Sequence, residues 1–149
     1  MSLKVRINED MKAALRARQR ERLKTIRLLL AAIKQREVDE RIELDDAQVL
    51  AVIDKMIKQR KESVAQFEAG NRADLVAKES AEIALLSGYL PAQLDAAELD
   101  KLIREAIAST GAASMKDMGK VMGVLKSKVQ GRADMGALSA RIKSALGGS

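Results

Sequence analysis

Leu23, Ile26, Leu30 and Ile33 recur at three- and four-residue steps, which places them on one face of a helix with Arg36 and Glu40 on the charged side. The same spacing appears elsewhere and divides the chain into helices. A first helix is predicted over residues 4–18, with Val5, Met11 and Leu15 as its apolar points. After a break near Arg41–Leu44, Asp45 followed by Gln48 has the spacing of a capping box. The helix it opens carries Val49, Ile53, Met56, Ile57, Val64 and Phe67, and Gly70-Asn71 stops it. A fourth helix is predicted over residues 73–89, with Leu75, Ile83, Leu85, Leu86 and Tyr89 as its apolar positions. Pro91 cannot continue it.

Three shorter helices follow. Asp95 with Glu98 opens the first, whose face is Leu99, Leu102, Ile103, Ala106 and Ile107, and Gly111 ends it. Ser114 with Asp117 opens the second, with Met115, Met118, Met122 and Leu125 as its predicted face and Gly131 as its end. Asp134 opens the third, which carries Leu138, Ile142 and Leu146. The fold class expected is all-α: a four-helix N-terminal region, residues 1–91, followed by a three-helix bundle tail domain, residues 92–149. Composition agrees, because a chain with one Phe, one Tyr and no Trp must build its core from Leu, Ile, Val, Met and Ala.

What is missing narrows the chemistry. The chain has no His and no Cys, so it offers no imidazole base, no thiolate nucleophile and no zinc site of the usual kinds. No catalytic residue, metal site or cofactor is expected. The adjacent acids Asp45-Asp46 and Asp39-Glu40 point in different directions in a helix and read as caps and exposed faces. No nucleotide-binding glycine loop occurs. The lack of Cys, and of any signal-peptide core in Met1–Asp10, leads to the expectation of a cytoplasmic chain without a membrane role.

The net charge of +6 matters less than its distribution. From residue 106 onward the bases are Lys116, Lys120, Lys126, Lys128, Arg132, Arg141 and Lys143, against the acids Asp117 and Asp134 alone. Lys116, Lys120, Lys126, Lys128, Arg132 and Lys143 are therefore the candidate RNA contacts. Several of them fall near the start of the last helix, where backbone amides suit phosphate. Gly119 and Gly123 lie four apart within a predicted helix, and each costs about 1 kcal/mol relative to Ala. Close helix packing would offset that cost, and so would close approach of a nucleic-acid backbone; Gly131 joins them as a candidate close-approach glycine. Arg16, Arg20, Lys24 and Arg27 form a second basic patch if the helix through them is continuous, facing RNA or an acidic protein. Tyr89 reads as a buried ring that pins the segment before Pro91.

These residues resemble the GatB/YqeY family over almost the whole chain. The elements are Asn8-Glu9-Asp10-Met11-Lys12-Ala13-Ala14, Arg22-Leu23-Lys24-Thr25-Ile26-Arg27-Leu28-Leu29, Gln59-Arg60-Lys61-Glu62-Ser63, Tyr89-Leu90-Pro91, Met118-Gly119-Lys120-Val121-Met122 and Gly131-Arg132-Ala133-Asp134. Met135 stands where family members often have Gly. The tail resembles the C-terminal domain of the GatB subunit of the glutamine-dependent tRNA amidotransferase. That resemblance implies a tail that helps hold tRNA while a separate catalytic cradle performs amide transfer. It covers the tail and not the cradle.

The expectation is therefore a non-catalytic, tRNA-associated accessory protein, with tRNA and a protein of the translation or aminoacyl-tRNA machinery as partners. Two alternatives stand beside it. One is amidotransferase-like carbon–nitrogen ligase activity with glutamine as amide donor, only with a partner. The other is a helical protein–protein adaptor.

Overall fold

The computed structural model describes residues 1–147. They form seven α-helices and no strand: α1 (Leu3–Arg16), α2 (Arg20–Glu40), α3 (Asp46–Ala69), α4 (Ala73–Ser87), α5 (Ala96–Thr110), α6 (Met118–Val129) and α7 (Met135–Gly147). One 3-10 turn, Met115–Asp117, leads into α6. The chain divides into two compact units, Met1–Leu90 and the part from Pro91 onward.

Local chemistry sets most helix ends. At α3 the Asp45 carboxylate accepts the Gln48 amide at 2.8 Å, and the Gln48 side chain accepts the Asp45 amide at 2.9 Å. The neighbouring acid serves another helix, since Asp46 Oδ1 accepts the Leu3 amide at the start of α1 at 2.9 Å. Asp95 and Glu98 repeat the capping box at α5, and Gly111 closes that helix in the left-handed region at φ 67°. At the end of α3, Gly70 keeps a negative φ, and Asn71 takes the left-handed conformation at φ 56°. Asp39 accepts from Gln35 and Glu40 from Arg36 on the surface of α2, so both adjacent acid pairs have structural partners.

In the first unit, α3 packs along α4 and α1 along α2, while α2 also meets α3 and α4. Ile7, Ala14, Ile26, Leu29, Ile33, Val49, Ile53 and Leu86 fill the core. The inner face of α2 is Thr25, Ile26, Leu29 and Ile33, whereas Leu23 and Leu30 are only half-buried. Arg60 of α3 donates to Glu82 of α4 at 2.8 Å, which allows a carboxylate 9% exposed to remain paired. Tyr89 is buried, and its hydroxyl donates to Asp10 Oδ2 at 2.6 Å while Arg6 lies 5.0 Å from the ring centroid. Burial, reinforced by the Asp10 carboxylate, pushes the Tyr89 phenol well above its usual range.

In the second unit α5, α6 and α7 pack pairwise around Leu99, Ile103, Ala106, Val121, Leu125, Val129, Leu138 and Ile142. The segment entering it is tied to the turn after α6. Leu94 N–H donates to the Arg132 carbonyl at 2.8 Å, Gln93 Nε2 donates to the Gly131 carbonyl at 2.8 Å, and Arg132 Nε donates to the Ala92 carbonyl at 3.1 Å. Met135 at the start of α7 is half-buried against the same core.

Candidate nucleic-acid interface

The inner face of α6 is Val121, Leu125 and Val129, not the methionine face that the spacing predicts. Met118 and Met122 are half-buried at its margin, and Met115 is 44% exposed. The buried stripe is rotated toward the valines because α5 and α7 choose the contact, and β-branched side chains fit between them. That rotation carries Gly119 and Gly123 to the outside. Within their own unit nothing lies within 4 Å of where a Cβ would stand at either residue. Close helix packing, one of the two accounts open for these glycines, is therefore corrected: they bear no neighbouring helix of their unit.

At 3.6 residues per turn, Gly119, Gly123, Lys126 and Ser127 share one face of α6, opposite Leu125 and Val121, with Lys120 beside them. All five are exposed, and α6 contains no Asp or Glu. The result is a strip of bare helix backbone, about 6 Å between the two glycines along the axis, edged by lysine. Lys126 and Lys128 also lie in the last turn of α6, where they complement the helix dipole. Lys120 Nζ is 3.7 Å from Asp117 and remains 70% exposed, so that exposed pair is weak. Asp117 itself is turned back to accept the Ala113 amide at 2.9 Å, and this bond holds its carboxyl below the usual range. Lys116, in the 3-10 turn, is exposed.

Other expected residues are placed elsewhere. Gly131 is buried at φ 73°, so its glycine identity answers to the turn and it offers no close approach. Arg132 is half-buried, with its Nε engaged by the Ala92 carbonyl. The start of α7 is not open to phosphate, because the Asp134 carboxylate already accepts the Ala137 amide at 2.9 Å. Lys143 is exposed on α7, with no hydrogen bond or ion pair linking it to α6. Met135 turns its side chain to the core and leaves the α6 strip unobstructed.

The second basic patch is divided. Ala17–Gln19 break the helix, with Arg18 at φ 56°, so Arg16 ends α1 while Arg20, Lys24 and Arg27 line α2. These three line an open depression of about 370 Å³ with Leu23 and Leu28. Leu28, 43% exposed, was not anticipated there; only its position opposite Ile26 and Leu29 could have revealed it. Among the described residues, no cluster of His, Cys, Asp or Glu could hold a metal ion, and no helix is long and apolar enough to cross a membrane.

Comparison with known proteins gives the family. The model of the Yqey-like protein family matches residues 4–146. The chain belongs to the YqeY-like family. Among its relatives is the altered inheritance of mitochondria protein 41, mitochondrial, of Pyrenophora tritici-repentis, 31% identical over 95% of this chain and 80% of its own length. The proteins of the same name from Lachancea thermotolerans and Vanderwaltozyma polyspora are 34% and 30% identical over 76% and 75% of this chain. The chain spans 65% and 64% of the length of those two. These names overturn the expectation of a cytoplasmic chain, since the family members matched are mitochondrial proteins. An absence of cysteine speaks to redox chemistry and does not select between compartments.

Proposed function

We propose that this YqeY-like chain is a non-catalytic RNA-binding accessory protein, with tRNA as ligand and the outer face of α6 as the contact. The observation that carries the reading is the exposed Gly119–Gly123 strip, edged by Lys120 and Lys126 on a helix without acids. Gly123, inside α6, lowers helix stability by about 1 kcal/mol, Gly119 in the first turn by less, and no contact in their own unit offsets it. A phosphate backbone would, because bare helix lets it come within reach of flanking lysines. The resemblance of the tail to the C-terminal domain of GatB supports tRNA over other polyanions. No aromatic side chain stands on α6, so the contact reads backbone and shape and not stacked bases.

The test is binding of bulk tRNA by the full chain across a salt series. Wild type should bind with a steep salt dependence, and Lys120→Ala and Lys126→Ala combined should lower the slope by roughly 0.7–0.9 per lysine. Gly119→Leu with Gly123→Leu should weaken binding at every salt without altering charge. Binding that is indifferent to both sets of changes would sink the reading.

A further inference from the structure

The outer face of α2 is a second, chemically different surface. Opposite the buried Ile26, Leu29 and Ile33, the residues that share one stripe include Arg20, Lys24, Arg27 and Lys34. All four are exposed and none forms an ion pair among the described residues; the acids of α2 fall to either side of them, Glu21 and Asp39 toward Leu28 and Glu37 beside Val38. Between and beyond them stand exposed apolar side chains: Leu28 at 43%, Val38 at 59% and, just past the helix end, Ile42 at 40%.

These apolar groups sit in two shallow depressions. One is the 370 Å³ hollow of Leu23 and Leu28 at the start of α2. The other, about 430 Å³, holds Val38 and Ile42 at its end. The acids beside that second hollow, Glu37 and Glu43, both pair with Lys4, at 2.7 and 3.4 Å, and with Lys34 and Arg41 the lining carries three cations against two carboxylates. The centres of the two hollows are about 20 Å apart at the rise of an α-helix.

We infer that the outer face of α2 docks an acidic amphipathic helix of a partner protein, carboxylates against Arg20, Lys24, Arg27 and Lys34 and one apolar side chain in each hollow. Charge complementarity names the occupant. A second copy of this chain would set the same cations against each other. A phosphate backbone gives no reason for Leu28 and Val38 to stand exposed between the bases. Membrane binding scales with the apolar area buried, and Leu28, Val38 and Ile42 offer only separated side chains and no continuous apolar face. A helix laid along a groove supplies apolar anchors at fixed turns with acids beside them. The inference concerns the first unit alone and does not rest on RNA binding by the second.

The probe is a synthetic helical peptide of about 20 residues, with Glu in register with the four cations and a Leu for each hollow. It is titrated into the full isotope-labelled chain while backbone amide resonances are followed. Parallel titrations use the same peptide with both Leu changed to Ala, phosphatidylglycerol–phosphatidylcholine vesicles, and bulk tRNA. The expected result is a shift of amides from Arg20 to Ile42 that weakens about tenfold or more for the Ala peptide. Leu28→Lys, an exposed change whose helicity is checked by circular dichroism, should have a similar effect. The inference is overturned if the Ala peptide binds as well as the Leu peptide, if the shifts fall on α6, or if vesicles or tRNA move the α2 amides at lower concentration than the peptide does.

Discussion

The outer faces of α2 and α6 are built to the same plan and differ in one respect. Each helix buries one stripe in its own unit and turns unpaired or weakly paired cations outward; α6 carries no acid, and the acids of α2 fall to either side of its cations. On α2 the spaces between cations are filled by Leu28 and Val38; on α6 they are emptied by Gly119 and Gly123. Charge alone would draw both faces to any polyanion. The filling decides how near the partner comes and what it must bring. Leucine and valine call for apolar side chains in return, whereas glycine admits a backbone.

The largest effects should separate inner from outer positions on the same helix. Ile26→Ala should destabilise the first unit by about 2–5 kcal/mol, while Leu28→Ala should stay within about 0.5 kcal/mol. Chemical denaturation of the two variants checks this, and similar losses would show that Leu28 is core. On α6 the contrast changes sign. Leu125→Ala should cost about 2–5 kcal/mol, whereas Gly123→Ala should stabilise by about 1 kcal/mol, Gly119→Ala in the first turn by less, and both should still weaken tRNA binding. A protein made more stable and less able to bind is hard to explain except by a surface reserved for a partner.

A smaller loss, about 1.5–3 kcal/mol for a hydrogen bond to a charged group, is expected from Tyr89→Phe, and only in the first unit. Unchanged stability there would mean the Asp10 contact contributes little. The least effect is a matter of pH. The Lys4 ammonium, helped by the Leu44 amide, holds the Glu37 carboxyl below its ordinary value of 4.5. The stability this gives is fully present above that ordinary value and is lost as pH falls through the depressed one. Glu37→Gln should therefore flatten the acid limb of the first unit's stability profile, and an unchanged limb would remove Glu37 from the account.

Much of this architecture was readable from neighbouring residues. The boxes Asp45–Gln48 and Asp95–Glu98 and the left-handed Gly111 are local devices whose partners lie within one turn. The outward strip was not readable in the same way. Met118 and Met122 match a helical face as well as Val121 and Val129 do, and only packing against α5 and α7 selects between them. The same limit hid the exposure of Leu28 and made Leu23 and Leu30 look more deeply placed than they are. The break at Ala17–Gln19 carries no Gly or Pro to announce it; Arg18 adopts a left-handed backbone there because α1 must turn back along α2. Arg132 was legible as a cation and not as a strut, since its acceptor at Ala92 lies 40 residues away in sequence.

The lone Tyr89, in a chain without Trp, has an optical consequence. The ring is the dominant near-ultraviolet chromophore, and it lies entirely within the first unit under Arg6 and against Asp10. Its emission and its phenolate absorbance therefore report the opening of one half of the protein while the other half is dark. Circular dichroism sees helices of both. A denaturation curve recorded by the two signals together would resolve the halves without a label, and in alkali the phenolate band should appear only as the first unit lets its tyrosine go.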